Sequence, residues 1–249
     1  MNAIKDHVFA AKLAIDQLSK GKIWLYILPS VVVALLFYNV FSFFHHLSEG
    51  ATVAQSVPFV GDYITTGLQK TVSFAVWITD QIYMFFILTL LSPVNCLLSE
   101  KIDNDVTGAK FDGGIVRIMT DLGRAFILLL FTLVLNFIVM GTWWLIALIT
   151  GFHLLDPIIY FMIGAFFVGF SFYDFNLERY GIGFFGTVEF GFAKMSYMVA
   201  TGATFTIIYM IPVVGLLLAP FLVTVVSTIV YLKMKNKIPN KQITNGIQQ

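Results

Sequence analysis

The chain has 249 residues, 58% of them hydrophobic and only 12% charged, with 26 phenylalanines and a mean hydropathy of +0.86. Soluble domains average roughly 25% charged and 45–50% apolar residues, so these proportions argue against a water-soluble enzyme and for an integral membrane protein. A net charge of +1 gives no reason to expect a nucleic-acid partner, and the single cysteine, Cys96, excludes an intrachain disulfide or a multi-cysteine metal site.

Lipid-crossing helices satisfy their backbone hydrogen bonds internally and need about 20 apolar residues, so the charge-free runs are the first guide. Upstream of them, Ile4, Val8, Ala11, Ile15 and Leu18 recur at helical spacing, with Lys5, Asp6, Lys12, Asp16 and Gln17 on the other side. That pattern predicts an interfacial amphipathic helix over 1–22. Ile23 to Phe44 is charge-free and predicts the first transmembrane helix. A polar interval from His45 to Lys70 follows, in which His45 and His46 read as interfacial polar residues. Thr71 to Leu98 predicts a second, longer span, interrupted only by Asp80 and bent near Pro93.

Ser99 to Arg124 is the most charged stretch, with a turn at Asp112-Gly113-Gly114. Residues 125–173 predict a first helical hairpin, divided at Asp156-Pro157. Residues 184–232 predict a second, broken at Ile211-Pro212 and Ala219-Pro220 into arms shorter than a full span, hence re-entrant. The tail, 233–249, is basic and polar. Every Lys and Arg except Lys70 falls on one side of this layout, and the positive-inside rule makes that side, with both termini, cytoplasmic.

No HExxH, Gly-rich phosphate loop or nucleotide signature is present, no cofactor is implied, and no nucleophile and base stand at a usable helical spacing for an intramembrane enzyme. Ionisable residues in apolar runs are therefore the next candidates. Asp80 fits either a proton or cation relay or a polar residue near the outer interface or a bend. Asp174 fits either such a relay or the cap of the helix opening the last block. Trp143, Trp144, Tyr160 and Tyr173 read as interfacial anchors. Around Pro93 and Asn95 the apolar run becomes a charged helix, and a helix start there offers free N–H groups and a positive dipole to an anion, with Lys20, Lys22 and Lys101 as counter-charge. An ordinary helix break with solvated lysines is the other reading. Cys96 reads as a small buried apolar residue.

Several segments, in order along nearly the whole chain, resemble one family. They are the amphipathic start with Gly21 and Ile27-Leu28-Pro29, the block Ser92-Pro93-Val94-Asn95-Cys96-Leu97-Leu98-Ser99-Glu100 with Thr107-Gly108, and Leu122-Gly123-Arg124-Ala125. Tyr173-Asp174-Phe175 and the interval from Ile211-Pro212 to Pro220 with Ser227 complete the set. Together they resemble the CysZ-type sulfate permeases and the related etoposide-induced membrane proteins.

The resemblance implies an all-α bacterial inner-membrane protein. It would have an N-terminal amphipathic helix, two long transmembrane helices and two helical hairpins, at least one re-entrant, and would carry sulfate inward for cysteine synthesis as a homo-oligomer of two or more chains. It places the anion at backbone amides of the motif matching Asn95, Cys96, Leu97, Leu98 and Glu100, and at an arginine pair before the first transmembrane helix. Here that pair is replaced by Ile23 and Trp24, and the motif's glycine by Cys96. Lys20 and Lys22 are near enough in sequence to supply charge, but lysine lacks the bidentate fork of arginine. The first hairpin is left as either fully crossing or re-entrant. The function expected is thus a sulfate or oxyanion permease or channel in the lipid bilayer; the alternative is a non-transporting membrane scaffold of the same fold.

Overall fold

The computed structural model describes residues 2–19, 23–33, 35, 39, 88–109, 115–211 and 214–239, and no strand occurs among them. The expected first transmembrane helix is described only from Ile23 to Val33 and at two further positions. Most of the second, with Asp80, lies outside the described residues, as do Lys20, Lys22, His45 and His46. Helix α1 spans Ala3–Ser19, and a 3-10 turn covers Trp24–Ile27. The remaining helices are α2 (Ser92–Thr107), α3 (Ile115–Thr150), α4 (Asp156–Arg179), α5 (Phe184–Ala193), α6 (Met195–Tyr209) and α7 (Val214–Met234).

Charge-free length sets the longest elements. Leu122–Thr150 and His153–Arg179 are each long and apolar enough to cross a membrane, and they form the two arms of the first hairpin. The hairpin is longer than 125–173 at both ends, because Arg124 of α3 pairs with Asp174 of α4 at 2.7 Å and keeps both charges inside helices. Asp174 is therefore an interior residue of α4, 1% exposed, and not a helix cap. At the apex the Trp143 indole N–H donates to Asp156 Oδ1 over 2.8 Å. Tyr173 is 1% exposed, so it is a core residue and not an interfacial anchor.

The second hairpin departs from expectation in one arm. Helix α6 has 15 residues, about 22 Å at 1.5 Å per residue, too short for a hydrocarbon core of about 30 Å. Helix α7 runs for 21 residues straight through Pro220, and its stretch Leu217–Met234 is long enough to cross. The proline falls in the second turn, where it removes one backbone donor without ending the helix. Hydroxyls one turn apart, Thr224 to the Pro220 carbonyl and Thr228 to the Thr224 carbonyl, both at 2.7 Å, follow it.

Helix α2 continues past Leu98 to Thr107, where Gly108 caps it in the left-handed region at φ 77°. The first charges after the apolar run are thus helical, and one of them, Asp103, is fully buried.

Helix α1 turns its apolar stripe outward and buries part of the face that the sequence pattern gives as polar. Ile4, Val8 and Ile15 are 72%, 54% and 67% exposed, whereas Asp6, His7 and Gln17 are buried beside Phe9, Ala10, Leu13 and Ala14. Two of the inward polar residues, Asp6 and His7, find partners on α6 and α7. Tyr197 donates to Asp6 Oδ2 at 2.6 Å, Lys233 pairs with Asp6 Oδ1 at 3.0 Å, and His7 Nε2 lies 2.7 Å from Thr201 Oγ1.

This docking is pH-sensitive. Burial holds the His7 pKa below the ordinary 6.5 despite the neighbouring Asp6 and Ala3 carbonyl. Burial also pushes Asp6 upward, but the Tyr197 and Lys233 contacts outweigh it and leave Asp6 below 3.8. A pKa lowered in the docked state means that the undocked state takes up the proton first. Docking is therefore fully stable above the ordinary histidine value and weakens as pH falls through it, with Asp6 adding a second loss at lower pH. Hydrogen exchange of the α1 amides should accelerate between about pH 7.5 and 5.5 in excess of the intrinsic chemical rate, and His7→Gln should remove that excess. Equal exchange protection at both pH values would refute the His7 dependence.

Candidate functional site

The inward face of α2 carries polar residues one turn apart. Asn95, Ser99 and Asp103 are 2%, 0% and 0% exposed, and spacing of four along a helix puts them on one face. Ser99 Oγ donates to Asn176 Oδ1 of α4 at 2.9 Å and accepts from Thr228 Oγ1 of α7 at 3.0 Å. One turn further on, Asp103 Oδ2 is 3.0 Å from Arg179 Nη2 of α4, and both side chains are fully buried. The order of these contacts means that α2 and α4 run side by side in the same direction, with α7 against them and a polar seam between the three.

Arg179 is the centre of the seam. Its Nη1 donates to Ser99 Oγ at 2.5 Å and its Nη2 to Asn176 Oδ1 at 3.1 Å. Asp103 also accepts from Tyr180 at 2.5 Å and from Thr107 at 2.8 Å. Lys237 lies 3.5 Å from the centre of the Tyr180 ring, adding a cation where the seam meets the chain's basic tail.

A second cluster stands at the base of the first hairpin. Arg124 Nη2 reaches Asp174 Oδ1 at 2.7 Å and Thr187 Oγ1 of α5 at 2.9 Å. A small cavity adjoins it, lined by Thr89, Ser171 and Asp174 together with apolar groups that include Leu88 and Phe175.

The residues expected to hold an anion divide between two faces of α2. Asn95, Cys96 and Leu98 are buried, at 2%, 4% and 1%, while Leu97 is 37% exposed and Glu100 half-buried. Pro93 does lie in the first turn of α2, but the Asn95 N–H already donates to the Leu91 carbonyl at 2.8 Å. From Asn95 onward the amides are consumed by the helix itself. What the motif offers in this conformation is the side-chain face of Asn95 and Ser99 rather than a row of backbone donors. Lys20 and Lys22 are not described. Ile23 is 1% exposed, and Trp24 donates from Nε1 to the Leu18 carbonyl at 3.0 Å and stacks on Phe221 at 5.7 Å, so both act as packing residues.

Arg179, Asp103, Asn176 and Thr228 were not singled out from the sequence. Their signal is spacing: Asn95, Ser99 and Asp103 at intervals of four, and Asn176 with Arg179 at an interval of three, each within a helix that is otherwise apolar on that face. Among the described residues, no group of three His, Cys, Asp or Glu side chains is placed to hold a metal ion. The arrangement supplies instead one guanidinium, several hydroxyls and two amides inside a helical bundle, a donor set suited to an oxyanion.

The family model described as "Sulfate transporter CysZ/Etoposide-induced protein 2.4" matches residues 10–220. No curated protein matches the chain.

Proposed function

Because the chain belongs to the sulfate transporter CysZ/etoposide-induced protein 2.4 family, we propose that it is a bacterial inner-membrane permease or channel for sulfate or a related oxyanion, supplying sulfate for cysteine synthesis. The observation that carries this reading is the position of the polar seam. The helix beginning with the Asn95 to Glu100 motif is the one that presents Asn95, Ser99 and Asp103 to buried Arg179 at the C-terminal end of α4. A pathway for a hydrated anion through apolar helices needs such a line of donors.

In this reading the first hairpin crosses the bilayer. Arg124 and Asp174 mark one interface and Trp143 with Asp156 the other. Trp143 stands nineteen positions after Arg124 on α3, about 28 Å along the helix, close to a hydrocarbon core of about 30 Å. The outward stripe of α1 lies against lipid headgroups on the side of the basic residues, the cytoplasmic side, with both termini. The short α6 is buried against a second copy of the chain, giving at least a dimer.

Calorimetry of sulfate on the detergent-purified protein, with selenate, phosphate and chloride as comparisons, tests the reading. Saturable sulfate binding is expected, weakened by charge removal at Lys20 and Lys22 and by Glu100→Ala. Absence of any binding up to about millimolar sulfate, a binding free energy of about −4 kcal/mol, would contradict it. The scaffold alternative draws on one observation, the packing of Ile23 and Trp24 where the family carries its arginine pair. A scaffold passes no anion and copurifies with a stable partner.

A further inference from the structure

We infer that the seam between α2, α4 and α7 is an oxyanion station gated by its own carboxylate: in the resting protein Asp103 occupies the place on Arg179 that a tetrahedral dianion takes during passage. This inference rests on the permease reading and deepens it by naming the residues that hold the anion.

Stability alone is a poor reason for this pair to exist. Burying a guanidinium and a carboxylate costs solvation that their attraction repays only in part, and apolar residues of the same volume commonly hold a fold as well or better. The surrounding groups are what an oxyanion needs. The guanidinium offers a planar fork, and the hydroxyls of Ser99 and Thr228 converge on the same point, Ser99 lying within hydrogen-bond distance of both Arg179 and Thr228. One turn before Ser99, on the same face of α2, Asn95 is 2% exposed and its side-chain Nδ2 meets no acceptor. A buried amide donor left without an acceptor is costly, and it is satisfied when an oxyanion oxygen stands at that level of the seam. Asp103 stands directly on Arg179 at 3.0 Å, and it has other anchors. Tyr180 and Thr107 both donate to it, so it keeps two hydrogen bonds when the guanidinium turns toward an incoming anion. No bond is made or broken; one anion replaces another on one cation.

The consequence is an asymmetry between the two halves of the pair. Removing the carboxylate leaves a buried cation that an added oxyanion can neutralise. Removing the guanidinium leaves a buried anion that nothing in solution of that charge can help. Thermal unfolding of the full-length purified protein should therefore be followed with sodium sulfate, and with sodium chloride at matched ionic strength. Asp103→Asn is expected to unfold at a lower temperature than the unmodified protein. Sulfate, and not chloride, should restore it, with an apparent sulfate affinity about tenfold tighter than that of the unmodified protein. Arg179→Gln is expected to unfold early as well and to show no response to sulfate.

Equal destabilisation of the two variants, with sulfate restoring neither, would overturn the inference and leave the pair a packing element. Should Asp103→Asn not accumulate in folded form, Asn95→Asp carries the test: a carboxylate at the open donor should abolish the sulfate-induced shift of the otherwise intact protein. An unchanged shift there would equally overturn it. The unmodified protein moving sulfate into liposomes while Asp103→Asn shows no rescue sinks the station alone. Absence of both flux and any response to sulfate sinks the permease reading with it.

Discussion

Alanine at Gly202 is expected to unseat α6 from α4 and to remove most of the folded protein. A methyl carbon at that position would lie 1.8 Å from the Ala165 carbonyl oxygen and 2.6 Å from its carbon. Gly169 faces the reciprocal problem, with its added carbon 1.9 Å from the Met198 carbonyl oxygen. The obstacles are backbone atoms of the neighbouring helix, so no rotamer change relieves them and the helices must separate by more than an ångström. Small residues at such crossings are what lets membrane helices approach closely, since lipid leaves them little hydrophobic reason to associate. Two effects compete. Alanine is the better helix former by roughly 1 kcal/mol, while overpacking of a tight contact costs about 3 kcal/mol at its upper end. The second wins. Fluorescence-detected size exclusion after heating should show Gly202→Ala and Gly169→Ala losing the monodisperse peak well below the unmodified protein. Gly164→Ala on the same helix α4, where the added carbon meets nothing within 4 Å, should match or exceed it. Tolerance of both close-contact substitutions would mean that α4 and α6 do not cross in this way.

The second large effect belongs to Arg179 and Asp103. With both side chains fully buried and 3.0 Å apart, removing either partner strands an uncompensated charge, and losses of roughly 3–5 kcal/mol are typical of such a break. Arg179→Met and Asp103→Leu are each expected to lower thermal stability by that order. The double substitution should recover most of the loss, because it removes both charges and keeps apolar volume in the seam. A double-mutant cycle on unfolding midpoints checks this. Additive losses would mean that the two residues act separately. The recovered double variant has a further use: it is expected to be stable and to carry no sulfate, which separates the structural from the conducting role of the pair.

How far the sequence alone leads is shown by particular helices. The charge-free runs around Leu122–Thr150 and His153–Arg179 are visible because hydropathy integrates over many residues, and errors at their ends leave the helix intact. Their ends were misplaced because Arg124 and Asp174 look like residues at a boundary when taken singly. Only the cross-helix contact at 2.7 Å makes them interior. Pro220 was taken as a break, yet the helix runs on through it at the cost of one backbone donor and of crowding against the preceding turn. In α1, periodicity found the apolar stripe that faces outward but not the packing of the opposite face. The inward face is built from Phe9, Ala10, Leu13 and Ala14 with three polar residues, and of these Asp6 and His7 find their partners Tyr197, Lys233 and Thr201 at least 191 positions away.

The candidate site was legible in part. The Asn95 to Glu100 motif lies in α2, the helix whose inward face carries the polar seam, and Cys96 is buried as its size and chemistry suggest. The motif was read along the backbone, however, whereas the structure uses it across a face, so that Asn95 belongs with Ser99 and Asp103 rather than with Leu97 and Glu100. Arg179 escaped notice because a charge at the end of an apolar run is ordinarily solvated. Nothing short of the packing of α2 and α7 against α4 reveals that this one has 0% side-chain exposure.

The central claim is that this bundle passes an oxyanion, and the most direct measurement is radiolabelled sulfate flux into proteoliposomes of the purified protein. The account predicts saturable flux that excess selenate competes away, that equimolar chloride leaves intact, and that the Arg179→Met, Asp103→Leu protein lacks while remaining folded. Folded, reconstituted wild-type protein that passes neither sulfate nor any comparison anion would contradict it.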